Sequence, residues 1–179
     1  MNPNEIISKF DKYLDGHNLS FEAIVIGGAA LALLGVITRE TQDCDVLDPK
    51  IPPAVDKASK DFVKTLRQQG QDIKEKWLNN GPEDLKNNLP QGWKSRIQLL
   101  FSGKALILYT LGRSDLLRTK LFAYCDRQQD LSDCIALAPS KKELYEVLEW
   151  LQEQDAHPGW PAHVQKSLSF LGKELVYEF

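Results

Sequence analysis

Phe21 to Ile26 is an apolar, β-branched run with the content of a buried strand, and it stops abruptly at paired glycines, Gly27-Gly28. Ala29 to Leu34 follows as a short stretch of helix formers closed by Gly35. Neither glycine carries a Cβ, so a phosphate can approach the backbone amides of the turn, and the helix start adds partial positive charge. Further on, Asp43 and Asp45 lead into a second strand, Asp45-Val46-Leu47, which breaks at Pro49. Residues two apart in a strand point to one side, so both carboxylates are expected to face one point. A pair of this kind suits Mg²⁺ (or Mn²⁺), a hard cation whose remaining ligands come from substrate phosphates.

The rest of the chain alternates helix and strand signals and then turns helical. Asn2-Pro3 opens a helix with Ile6, Ile7, Phe10, Tyr13 and Leu14 on one face, and Gly16 stops it. Pro52-Pro53 opens another, with Val55, Ala58, Phe62, Val63 and Leu66 inward and Gly70 at its end. Trp77 to Gly92 is irregular, with room for one helical turn around Glu83 to Lys86. Arg96–Phe101 and Ala105–Thr110 are strand-like runs around Ser102-Gly103-Lys104, a hairpin signature. Helices are expected from Ser114 to Cys125, from about Asp130 to Ala138, after the capping box Ser140-Lys141-Lys142-Glu143, and from Pro161 to Gly172. The expected fold is α+β: a mixed sheet flanked by helices in residues 1–112 and a helical C-terminal part in 113–179, packed as one compact unit.

Composition bounds the function classes. Lys and Arg number 22 against 25 Asp and Glu, a net charge of −3, which excludes a protein that coats nucleic acid regardless of sequence. Lys57, Lys60, Lys64 and Arg67 form a basic run at near-helical spacing, read as a solvated face, with binding of acceptor RNA as the alternative. The three cysteines contain no CxxC pair and the three histidines no zinc spacing, so reduced thiols and a cytoplasmic location are expected. The first residues lack the pattern of a secretion signal, and no apolar run approaches the roughly 20 residues of a membrane span.

Gly27-Gly28 followed by Asp43-Cys44-Asp45 resembles the nucleotidyltransferase superfamily of polymerase-β type. Asp115-Leu116, Lys120-Leu121-Phe122-Ala123, Arg127, Asp130-Leu131-Ser132-Asp133 and Leu137 further resemble AbiEii-type nucleotidyltransferase-like proteins. Trp77-Leu78-Asn79-Asn80-Gly81-Pro82 and Leu137-Ala138-Pro139-Ser140 resemble an uncharacterised bacterial family of that type. The resemblance spans Ile24 to about Gly172. It implies that Gly27 and Gly28 cradle phosphates, Asp43 and Asp45 hold metal, Lys120 contacts a triphosphate, and Asp133 is a late catalytic carboxylate. The implied activity moves a nucleoside monophosphate from an NTP, with Mg²⁺, onto a hydroxyl of RNA (tRNA among them), protein or a small molecule. AbiEii-type proteins are often toxins of toxin–antitoxin or phage-defence systems, so a cognate antitoxin is implied as a partner.

Several residues carry two readings. Lys120 sits beside its helix's apolar face, where its ammonium either reaches a cleft or extends to solvent. Asp130 either caps the following helix or joins the site; it lies closer to the apolar stripe than Asp133, while the family spacing favours Asp133. Arg39 either touches a phosphate or pairs with Glu40 or Asp43, and Thr41 is expected to bond backbone in its turn. Polymerase-β-like enzymes carry a third carboxylate on a later strand, and neither Arg96–Phe101 nor Ala105–Thr110 contains an acid. Asp133 or the substrate would have to replace it. A catalytically inactive nucleotide-binding or scaffold protein on the same fold is therefore the rival reading.

Overall fold

A computed structural model describes residues 2–41 and 43–176. The chain divides into two compact units, Met1–Gly112 and Arg113–Phe179. The first is built as α1 (Pro3–Gly16), β1 (Phe21–Ile26), α2 (Gly27–Leu33), β2 (Cys44–Asp48), α3 (Pro53–Gln68), β3 (Leu78–Asn79), two 3₁₀ turns (Glu83–Asn87 and Trp93–Arg96), β4 (Gln98–Ser102) and β5 (Leu106–Thr110). Its sheet runs β3-β2-β1-β5-β4 and is mixed: β1 pairs antiparallel with β2 and parallel with β5, β2 parallel with β3, and β4 antiparallel with β5. The fold is α+β, and each helix signal of this half corresponds to a helix.

The core of this unit sits where α1 and α3 meet the sheet. Phe10, Phe62 and Trp77 are all buried, with ring centroids 5.1–6.0 Å apart. Such aromatic contacts add to the stabilisation from buried area alone. One buried carboxylate orients α1: Asp11 accepts hydrogen bonds from the backbone N–H groups of Ala105 (2.8 Å) and Leu106 (2.9 Å). Burial alone would raise its pKa, but these N–H groups outweigh it and hold the carboxyl below its usual range. A Cβ on Gly103 would overlap that carboxylate, which is why the β4–β5 turn carries glycine there.

Two local expectations are corrected. Arg96 does not start a strand: it ends the second 3₁₀ turn, with its guanidinium donating to the carbonyls of Gln91 and Pro90. The irregular stretch after Trp77 holds the short edge strand β3, and Cys44 N–H donates to the Trp77 carbonyl at the start of that pairing. Beyond it, Asp48 accepts from Lys86 (3.0 Å) and Lys94 (2.7 Å), which ties both 3₁₀ turns to the end of β2. Lys94 first, then Lys86, holds that carboxyl below the usual range.

The second unit comprises α4 (Arg113–Arg127), α5 (Leu131–Leu137), α6 (Lys141–Gln152) and α7 (Trp160–Glu174). Leu116, Leu117, Leu121, Leu144, Val147, Leu151, Val164 and Leu168 form its buried face. The expected capping box is present: Ser140 Oγ accepts from the Glu143 N–H, and Glu143 accepts from the Ser140 N–H. Trp160 Nε1–H donates to the Leu151 carbonyl at 2.8 Å and joins α7 to α6. Among the described residues no helix is long and apolar enough to cross a membrane.

Arg113 Nε lies 2.7 Å from Glu143 Oε1 and, above all other causes, draws the Glu143 pKa down to about 2. A depressed carboxyl stabilises the fold above its unfolded pKa, and that contribution is lost as pH falls from about 4.5 to about 2. Glu143→Gln keeps the cap and removes the charge. It should cost about 1 kcal/mol at pH 7 in urea denaturation, with the difference from the parent protein closing near pH 2. An undiminished difference at low pH would contradict the ion-pair account.

Candidate active site

Asp45 lies mid-sheet, in register with Ile26 on β1 and with Asn79 on β3. The residue after Ile26 is Gly27, at φ +78°, a left-handed conformation that L side chains adopt only with strain. A Cβ on Gly27 would lie 2.5 Å from Asp45 Oδ2, so the carboxylate uses the space a side chain would need. A Cβ on Gly28 would lie 3.1 Å from Thr41 Oγ1 and 3.5 Å from Arg39 Nη2. Thr41 Oγ1 in turn donates to the Asp43 backbone carbonyl at 3.2 Å, the turn contact expected of it. The structure thus gathers Gly27, Gly28, Arg39, Thr41 and Asp45 around one turn. Because α2 is only seven residues long, its contribution there is a set of local N–H groups rather than a long dipole.

Asp43 precedes β2 instead of lying within it. It is half-buried, as is Asp45, and the two alternate with buried Cys44 and Val46. Lys74 Nζ bonds both Asp43 oxygens, at 2.9 and 3.2 Å, in a solvent-facing pair. Exposed pairs of this kind are weak, so a divalent cation can displace the lysine. The donor set is two carboxylates of hard oxygen character, and among the described residues no group of three or more His, Cys, Asp or Glu surrounds them. These residues fit a cation that completes its shell with substrate phosphate oxygens and water. Cys44 adds no ligand: burial, and then the neighbouring Asp45 charge, pushes its thiol up to about 12.

The neighbouring strand supplies what sequence reading missed. Asn79 Nδ2 donates to Asp45 Oδ1 at 3.1 Å, and Asn79 Oδ1 accepts from the Gly81 N–H at 2.7 Å. The Gly81 bond fixes which end of the amide faces Asp45. Sequence alone offered Asn79 only as part of a turn-rich segment.

A family model described as nucleotidyltransferase of unknown function (DUF6036) matches residues 4–156. The chain belongs to that family. Among solved structures, the crystal structure of an antigenic nucleotidyltransferase-like protein from Paracoccidioides brasiliensis is similar at 16% identity and a TM-score of 0.49, over 97% of this chain and 88% of that one. No curated protein matches.

The remaining residues carried over from nucleotidyltransferases lie together in the helical unit. Lys120 is buried, and its ammonium bonds Asp133 (2.7 Å) and Asp130 (3.0 Å), so it does not extend to solvent. Asp130 makes no side-chain cap on α5; its carboxylate is used by Lys120 and by Arg127 at 3.3 Å. Asp133 is 1% exposed, deeper than Asp130, which reverses the order expected from the helical wheel. Asp115 is also fully buried on α4. A buried ammonium shared between one buried and one half-buried carboxylate is a costly arrangement unless each group is paired.

Gly27→Ala should cost about 1–2 kcal/mol in urea denaturation, because it combines the left-handed backbone with a clash against Asp45. Gly28→Ala, at an ordinary φ, should cost clearly less. The reverse order would contradict this geometry.

Proposed function

We propose that this protein transfers a nucleoside monophosphate from an NTP to an acceptor hydroxyl with Mg²⁺ (or Mn²⁺), releasing pyrophosphate. The observation that carries the reading is the contact of Asp45 with the Cβ-free turn at Gly27 and Gly28. It sets a carboxylate beside a half-buried glycine turn at the start of α2, where a helix's first N–H groups lack intrahelical partners and suit a phosphate. When bound, the cation would supply neutralisation of the charge that develops on the phosphates. Asp43 and Asp45 would hold it, Gly27 would leave room for the Asp45 carboxylate, and the backbone N–H groups of Gly27 and Gly28 would cradle the phosphates. Thr41 would fix the turn through its bond to the Asp43 carbonyl, and Arg39, whose Nη2 lies beside the Gly28 position, would meet phosphate oxygens. Lys120 and Asp133 enter the proposal as the family's triphosphate contact and late carboxylate; the resemblance to nucleotidyltransferases supports that role.

Asn79 favours a second reading. On the strand beside Asp45 the nearest side chain is an amide that donates, so it cannot accept a proton from an attacking hydroxyl. A protein that binds the nucleotide without transferring it is consistent with that residue. On the AbiEii resemblance, either form could serve as the toxin of a toxin–antitoxin pair.

Calorimetry with each NTP and Mg²⁺ tests the leading reading. Asp45→Asn should weaken metal-dependent NTP binding by about tenfold or more, and Asp43→Asn less, since Asp43 precedes β2 and Asp45 is held within it beside Gly27 and Asn79. Binding with pyrophosphate release on total RNA or cell extract supports transfer, and binding without it supports the second reading. No binding of any NTP would contradict both.

A further inference from the structure

The helical unit holds a groove of about 350 Å³ between the C-terminal end of α4, the start of α5 and one face of α7. Its walls are fixed by hydrogen bonds that cross between helices. Gln128 follows α4 in the left-handed conformation, at φ +57°. Its Nε2 donates to the Tyr124 carbonyl at 3.1 Å and to Ser167 Oγ on α7 at 3.2 Å. His163, one turn before Ser167, places Nε2 2.8 Å from the Cys125 carbonyl. A carbonyl oxygen only accepts, so Nε2 carries the proton and donates it there. With α4 and α7 tied in this way the groove is preformed, as small-molecule sites usually are.

The lining combines an apolar wall with one charge. Phe170 is 49% exposed and forms that wall with half-buried Leu131. Lys166 is the groove's only Lys, Arg, Asp or Glu among the described residues, and no ion pair holds its ammonium there. Tyr124 is 3% exposed, yet its hydroxyl has no hydrogen-bond partner among the described residues. The hydroxyl oxygen keeps a contact with solvent, and the space that Tyr124 lines is this groove. We propose that the groove binds a small molecule with a planar ring and one anionic group. The ring would lie against Phe170 and Leu131, and the anionic group would meet the Lys166 ammonium. The Tyr124 hydroxyl would donate to the ligand from the inner end, gaining the partner it otherwise lacks. A nucleoside monophosphate and an aromatic carboxylate share this chemistry. Every wall of the groove belongs to the helical unit, so the site stands whether or not the protein transfers nucleotides.

The test is ¹⁵N–¹H shift mapping of the full chain with two probes, AMP and indole-3-acetate, and their uncharged counterparts, adenosine and indole-3-ethanol. A bound probe should move the amides of Gln128, His163 and Phe170, and its uncharged counterpart should bind about fivefold more weakly or worse. Lys166→Glu should weaken the probe by about tenfold, and Phe170→Ala by about fivefold. Tyr124→Phe, which keeps the ring, should weaken it by about threefold. Lys142→Glu makes the same charge change on α6, outside the groove, and should weaken it less than about twofold. The dispersion of the same spectra shows that each variant is folded. Binding of AMP alone identifies a phosphate source, of indole-3-acetate alone a carboxylate source, and of both the shared chemistry. No binding of either probe, equal losses in Lys166→Glu and Lys142→Glu, or shifts centred on Gly27 and Gly28 would overturn the groove. Movement of the same amides with protein concentration alone would also overturn it, and would assign the face to contact between copies of the chain.

Discussion

The site depends on one close approach, that of the Asp45 carboxylate to the space where Gly27 has no side chain. Everything around it can be traced to that contact. Gly27 has to turn left-handed at the end of β1, because β1 and β2 are paired through Ile26 and Asp45 and the chain must leave the sheet at that point. A side chain there would either strain the turn or displace the carboxylate. Gly28 then faces Thr41 and Arg39, which return from the long connection after α2, so one turn collects residues far apart in the chain. Asn79, from β3, closes the opposite side of Asp45. The carboxylate is thus fixed from both neighbouring strands, as a group that orients a cation or a phosphate has to be.

Charge is handled in three ways. Around Asp43 it is exposed and loosely paired, so it is exchangeable. At Asp11 and Asp48 it is tied to backbone N–H groups or to two lysines and serves the architecture of the sheet unit. In the helical unit Lys120 and Asp133 are paired in the interior, with half-buried Asp130 beside them, so removing one buried partner leaves an uncompensated charge. The two thiols near them, Cys125 and Cys134, are pushed up to about 12 by burial and stay inert beside that cluster.

Much of this was legible in the sequence because it is encoded locally. The strand that stops at Gly27-Gly28, the prolines that open α1 and α3, and the Ser140–Glu143 box are short-range signals, and each corresponds to the expected element. β3 was not legible. Its two residues, Leu78 and Asn79, are too few to show alternation, and they are strand only because β2 pairs with them. Asn79 as the neighbour of Asp45, and Lys74 as the partner of Asp43, follow from that long-range pairing and from no pattern near either residue. The burial of Asp133 below Asp130 was missed for a similar reason. A wheel of one short helix cannot show that Lys120, from another helix, holds both carboxylates.

The most direct test of the account follows the metal itself. With Mn²⁺ and a non-hydrolysable NTP, paramagnetic broadening in the ¹⁵N–¹H spectrum should be strongest at the amides of Gly27, Gly28 and Cys44. It should extend to Asn79 across the β2–β3 pairing and be absent in Asp45→Asn. Broadening centred elsewhere, or unchanged in that variant, would contradict the claim that Asp45 and the glycine turn together form the site.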